Sequence, residues 1–218
     1  LSRAHKNFVD SLFKSEVPEI NEGIVEILGI SRDPGGRTKI AVSSADSDID
    51  AVGACVGMRG SRVQNIIQEL KGEKIDIVPW SPDPARFSCN ALSPARVNKV
   101  ILDESSKIME VIVDEDQYSL CIGRRGQNVR LASELTQWEI TVKTDIQLKE
   151  EQQSVVKLLL TLPNISEVNA NLLFAGGYHT LEDIAFGEID SISKSSGITN
   201  EEDINLSLIH ISEPTRLS

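Results

Sequence analysis

The 218-residue chain is poor in what most catalysts and all membrane-spanning helices need. It has three cysteines, Cys55, Cys89 and Cys121, and Cys89 has no His or Cys at zinc-ligand spacing, which argues against a disulfide framework and a zinc site. Such sparing use of cysteine fits a reducing compartment. Its three histidines, His5, His179 and His210, lie far apart, and none sits in a nucleophile or metal motif. No apolar run approaches the roughly 18 residues that a membrane helix requires. No G-x-x-x-x-G-K-[ST] occurs, so a P-loop NTPase is excluded. Asp46-Ser47-Asp48-Ile49-Asp50 opens like a calcium loop but has Ala51 where glycine and Gly57 where glutamate would stand, so it reads as a solvated turn. No cofactor, no metal, no catalytic residue and no membrane partner is therefore expected. The chain begins at Leu1 with no leader-like segment and reads as a piece of a longer protein.

Positive charge is also scarce: the net charge is -11. The deficit is uneven, about -4 over residues 1–145 and -7 over residues 146–218. Within the first part, Arg59, Arg62, Arg124, Arg125 and Arg130 gather in two short stretches. Because salt screens charge over about 8 Å, a local basic footprint can act despite an acidic total.

Those two stretches are copies of one motif. Cys55-Val56-Gly57-Met58-Arg59-Gly60-Ser61-Arg62-Val63 matches Cys121-Ile122-Gly123-Arg124-Arg125-Gly126-Gln127-Asn128-Val129 as C-[VI]-G-x-R-G-x-x-V, 66 residues apart. After one dropped residue the match resumes at 65, placing Glu69-Leu70 on Glu134-Leu135 and Ile75 and Ile77 on Ile140 and Val142. The hydrophobic periods around the copies predict the same order twice. Residues 4–14 read as a helix ended by Pro18, residues 22–31 and 37–43 as a hairpin turning at Asp33-Pro34-Gly35-Gly36, then a short helix from about residue 50, a helix over 61–71 and a strand over 74–78. Residues 83–92, 96–102, 109–113, 117–122, 127–136 and 139–144 repeat that α-β-β-α-α-β order. Residues 147–162 read as a connecting helix. Small helices follow, one starting at Thr180 with Asp183 three residues on, an acidic relative of the capping box. Pro163, Gly187 and Gly197 punctuate that region. Residues 206–218 (LSLIHISEPTRLS) have no continuity with it and read as non-native, translated sequencing adapter.

A Gly-x-x-Gly between two helical segments, closed by a strand, resembles the phosphate-clamping loop of a KH module. Glycine allows a sharp turn and close backbone approach, the following helix offers free N–H groups and its positive end, and each arginine adds charge. Val56, Ile122, Ile75 and Ile77 are candidates to pack on bases, and Gln64, Asn128 and Arg130 to read base edges. One such loop is weak grounds; two with recurring arginines in one element order are strong. Cys55 and Cys121 read as buried packing residues, and Trp80 and Trp138 as core plugs rather than stacking platforms.

LSRAHKNFVDSLFKSEVPEINEGIVEI, DPGGRTKIAV, DAVGACVGMRGSRVQNIIQELKGEKIDIV, DPARFSCNAL and GRRGQNVRLASELTQWEI together resemble the tandem KH region of the NusA family of bacterial transcription elongation, termination and antitermination factors. The resemblance implies an α+β fold: two tandem prokaryotic-type (type II) KH domains, residues 1–80 (1–3 being the exit of a missing OB-type barrel) and 81–146. A small all-α, helix-hairpin-helix-like acidic repeat follows over 147–205, with GGYHTLEDIA as its informative stretch. It implies a non-enzyme that binds single-stranded nascent RNA in the bacterial cytoplasm and modulates pausing, termination and antitermination. RNA contact would fall on Gly57, Met58, Arg59, Gly60, Ser61 and Arg62, and on Gly123, Arg124, Arg125, Gly126, Gln127, Asn128 and Arg130. Implied partners are RNA polymerase, mainly through the absent N-terminal domain with residues 155–205 as a second candidate, and other antitermination factors; the protein is expected to be a monomer. Two alternatives share the clamp: a KH protein of ribosome assembly or translation, and the accessory KH region of an RNA-processing enzyme.

Overall fold

The computed structural model describes residues 3–46, 48–162, 165–186 and 192. Residues 1–2, Pro163, Gly187, Gly197 and the segment 206–218 lie outside the described residues. The chain divides into two compact units, Leu1–Asp145 and Ile146–Ser218.

In the first unit, α1 (Lys6–Glu16) is followed by α2 (Pro18–Asn21), β1 (Val25–Asp33), β2 (Arg37–Ser44), α3 (Ala51–Val56), a 3-10 turn (Met58–Gly60), α4 (Ser61–Glu69) and β3 (Lys74–Pro79). The order then repeats as α5 (Pro84–Ala91), β4 (Lys99–Asp103), β5 (Ile108–Val113), α6 (Glu115–Ile122), a 3-10 turn (Arg124–Gly126), α7 (Gln127–Thr136) and β6 (Glu139–Thr144). The expected α-β-β-α-α-β order holds in both modules, with two local differences. Pro18 ends α1 but also starts α2 from its first position, where its missing N–H costs nothing, and Val17 before it is extended as a residue preceding proline should be. Strand β4 begins at Lys99 rather than Arg96: the Arg96 N–H donates to the Gln117 side chain instead of a strand, and the Asn98 side-chain amide donates to Asp114 and Asp145.

Each module has one three-stranded sheet, β1-β2-β3 and β4-β5-β6. The first pair is antiparallel and the second parallel, so β2 to β3 and β5 to β6 each need a crossover. The crossover is the helix–loop–helix that carries Gly-x-x-Gly, which is why the loop emerges between two helices at one end of each sheet.

Strand β2 is buried on both faces. Ile40 and Val42 point into a first core with Val9, Phe13, Cys55 and Ile66. Ala41, between them, points the other way into a second core with Phe87, Leu92, Met109, Val111 and Leu135. The second module thus packs its helices on the back of the first module's sheet. Helix α7 lies along β1: Gln127 meets Asp33, Glu134 meets Ser31 and Leu135 meets Gly29. Eight residues of helix rise about 12 Å and four of strand about 13 Å, so the two elements stay in step. Gly29 eases that approach: a Cβ there would stand 3.2 Å from Leu135 Cδ1, tighter than an ordinary contact. A shift in strand register between Ile27 and Gly29 accompanies it, and Leu28 is left largely exposed.

Charge is buried in two places. Lys39, fully enclosed, donates to Asp76 at 2.9 Å, and Arg37 donates to the same carboxylate at 2.6 Å. Burial pushes the Lys39 ammonium below its ordinary value while Asp76 pulls it back. Arg32 and Glu73 form a bidentate pair at 2.8 and 2.9 Å, and Arg32 also donates to the carbonyls of Arg3 and His5, tying α1 to the sheet.

The second unit holds α8 (Asp145–Leu159, which starts at the boundary), α9 (Glu167–Ala175) and α10 (Leu181–Phe186). Val155, Val156, Leu159, Leu173 and Ile184 belong to its core. The cap foreseen at Thr180 is reciprocal: Asp183 N–H donates to Thr180 Oγ1 at 3.1 Å, and Thr180 N–H to Asp183 Oδ2 at 2.8 Å. Among the described residues, no helix is long and apolar enough to cross a membrane.

Candidate nucleic-acid interface

The two loops have one backbone conformation. Gly57 and Gly123 have φ/ψ of 73/174 and 75/172, Arg59 and Arg125 have 55/26 and 54/32, and Gly60 and Gly126 have 80/12 and 73/13. Arg59 and Arg125 are non-glycine residues held left-handed, a strained state costing about 1–2 kcal/mol each. Holding it twice, at the same place, turns both arginines out of the chain path. No side chain caps α4 or α7, and the first N–H of each, from Ser61 and Gln127, donates to a loop carbonyl, Met58 and Arg124.

The two glycines of each loop serve different needs. A Cβ at Gly57 would lie 2.6 Å from Arg62 Cγ, and one at Gly123 would lie 2.8 Å from the Asn128 backbone nitrogen. The first glycine therefore lets the protein close on itself. A Cβ at Gly60 or Gly126 would meet nothing within 4 Å, so the surface in front of the second glycine is open. Only this second position fits the expectation that a side chain would obstruct an approaching backbone.

Met58 (85% exposed), Arg59, Ser61, Arg124, Arg125 and Arg130 stand in solvent. Among the described residues, Arg59, Arg124 and Arg125 take part in no ion pair. Their charge is uncommitted.

Three expected contacts bond to the protein itself. Arg62 donates to Ala54 O at 2.6 Å and to Glu19 Oε2 at 2.8 Å, so it links α3, α4 and α2. Asn128 is buried, and its amide donates to the carbonyls of Leu92 and Cys121 at 3.0 and 3.1 Å; it fastens the loop to the second core and cannot read a base edge from there. Gln127 Nε2 donates to Asp33 Oδ2 at 2.6 Å, and Arg130 Nη2 lies 3.6 Å from the same oxygen. Glu19 and Asp33 thus border the two loops, and nothing in the spacing of the motif signalled either. Each comes from a segment far away in sequence.

The remaining candidates divide in the same way. Gln64 is exposed, while Val56, Ile75, Ile77 and Ile122 are half-buried. Cys55 and Cys121 are fully enclosed, and burial pushes both thiols up to about 11, so they are unreactive packing residues. Trp138 packs against the second core as expected, while Trp80 meets only its edge: its ring lies 6.5 Å from that of Phe87, and it is 41% exposed, on the rim of a cleft of about 290 Å³ with Leu28 and Trp138.

Residues 3–80 match the NusA-like first KH domain and residues 84–150 the NusA-like second KH domain. Two curated relatives are each named Transcription termination/antitermination protein NusA, from Rickettsia prowazekii (strain Madrid E) and Rickettsia conorii (strain ATCC VR-613 / Malish 7). Each is 45% identical over 208 residues, covering 92% of this chain and 41% of the relative. The chain therefore spans about two fifths of the length of these relatives.

Proposed function

Since the chain belongs to the NusA family through its two KH domains, residues 3–150, we propose that it holds single-stranded RNA at two clamps, one in each module. Phosphates lie against Gly57–Gly60 and Gly123–Gly126, with Arg59, Arg124 and Arg125 supplying charge. The observation that carries this reading is the shared geometry: two loops of one conformation, each with an open second glycine and exposed, unpaired arginine. Each KH loop takes about four nucleotides, so two in one compact unit hold an extended strand. Within the longer protein this grip serves transcription termination and antitermination, the role carried by the relatives' name, and the proposed setting is the bacterial cytoplasm. The acidic region after residue 155 is the segment of this chain proposed to meet RNA polymerase.

The test is the salt dependence of binding to a single-stranded RNA of about a dozen nucleotides. Three loop arginines on phosphate give a slope of log K against log salt near about −2. A slope near zero removes the electrostatic basis of the proposal.

A further inference from the structure

Gln127 opens α7 directly after Gly126, and its side chain is tied to Asp33. Its Nε2 donates to Asp33 Oδ2 at 2.6 Å. Asp33 closes β1 of the other module and belongs to the hairpin turn that abuts the second loop. A carboxylate only accepts hydrogen bonds, so it must face the NH₂ of the amide. The amide oxygen, Oε1, is then turned the other way, and among the described residues no donor serves it. Arg130, 3.6 Å from the same carboxylate oxygen, is a second donor on that side.

We propose that Asp33 is a positioning residue that fixes Gln127 as a hydrogen-bond acceptor beside the second clamp, and that the group Gln127 takes is a donor on the bound nucleotide. This rests on the RNA-binding reading above. Two nucleotide groups have that chemistry: the ribose 2′-hydroxyl, which separates RNA from DNA, and an exocyclic base amino group. The first loop differs. Ser61 stands where Gln127 does, and a hydroxyl both donates and accepts, so the first clamp has no such selectivity.

The experiment uses the full chain with the first clamp silenced by Met58→Asp and Arg59→Asp, and reads fluorescence anisotropy of a labelled single-stranded RNA. The same sequence is offered as DNA, and as RNA with purine in place of adenine, uracil in place of cytosine and inosine in place of guanine. With Asp33 and Gln127 intact, removal of the recognised donor weakens binding about two- to tenfold, the worth of one hydrogen bond. Loss on DNA identifies the 2′-hydroxyl, and loss on the amino-free RNA identifies the base. Asp33→Asn, whose amide can also donate and so lets Gln127 turn, brings the ratio close to one, as does Gln127→Leu. A ratio is insensitive to a general loss of stability; if Asp33→Asn alters circular dichroism, Gln127→Leu decides alone. A ratio that both variants leave unchanged, or a parent with no preference, overturns the inference while RNA binding stands. Binding indifferent to Arg124→Asp with Arg125→Asp would instead overturn the clamp itself.

Discussion

Arg62 and Asn128 occupy the same position of the repeat, five residues beyond the first loop glycine, and both turn inward. Each side chain packs on that glycine and bonds a carbonyl of the preceding helix, Ala54 for Arg62 and Cys121 for Asn128. The position is a strut that holds the two helices at the angle the loop needs. Different residues fill it because its surroundings differ: Glu19 stands beside the first and the Leu92 carbonyl beside the second.

Asn128→Ala therefore acts on stability before it acts on RNA. It takes the side-chain donor from two buried carbonyls, of which Leu92 O keeps the Ala95 N–H at 3.2 Å, and costs about 1–3 kcal/mol. Arg62→Ala, at a half-exposed site, costs about 1 kcal/mol. Urea denaturation followed by circular dichroism checks the order; an Asn128→Ala protein of full stability that no longer binds RNA would restore Asn128 as a direct contact.

Alanine substitutions at the four loop glycines should rank by geometry. Gly126→Ala and Gly60→Ala meet only the left-handed backbone penalty, about 1–2 kcal/mol. Gly57→Ala adds a clash with the Arg62 side chain, and Gly123→Ala, facing the Asn128 backbone, is the most damaging. Thermal melts of the four proteins give the ranking. Binding should follow the opposite rule, with Gly126→Ala losing affinity beyond its modest loss of stability.

The Lys39–Asp76–Arg37 group predicts an asymmetry. Asp76→Asn strips the carboxylate from two cations, one fully enclosed, and destabilises by about 3–5 kcal/mol. Lys39→Met removes the enclosed charge and leaves Asp76 with Arg37, so it is neutral to mildly stabilising. Equal losses in both, measured by chemical denaturation, would contradict the pairing.

Acid stability should depend on Glu73. Burial pushes its carboxyl up, but the hydrogen bonds from Arg32, Thr38 and the Gly35 N–H, with the Arg32 charge, outweigh that and hold it below its ordinary 4.5. A carboxyl depressed in the folded state adds stability that is fully present above the unfolded value and is lost as pH falls through the folded one. Stability of residues 1–145 should then be level above about pH 5 and decline below 4.5. Glu73→Gln should start lower and decline less steeply over that window; a parallel decline would place the proton uptake elsewhere.

Much of this architecture is legible in the chain itself. The duplicated Gly-x-R-Gly carries the loops, and the period-two and helical patterns carry the order of elements, because both are local. What the pattern does not carry is how the modules meet. Lys39 and Ala41 interrupt no alternation, yet both are buried, Ala41 in the second core and Lys39 against Asp76. The same long-range packing ties three expected RNA contacts, Arg62, Gln127 and Asn128, to Glu19, Asp33 and Leu92; it turns Arg62 and Asn128 inward and leaves Gln127 its amide oxygen. Motif spacing locates a loop; which of its side chains remain free depends on residues up to 94 positions away.

The central claim is that the two loops grip RNA, and one comparison tests it most directly. The full chain and a variant with Met58→Asp, Arg59→Asp, Arg124→Asp and Arg125→Asp are titrated with the same single-stranded RNA of about a dozen nucleotides. All four side chains are exposed and make no ion pair among the described residues, and the glycines are untouched, so circular dichroism and melting should change little. Four carboxylates where phosphates must lie should abolish binding. Equal affinity for the two proteins would contradict the account and make the paired KH fold a scaffold whose RNA contact lies elsewhere.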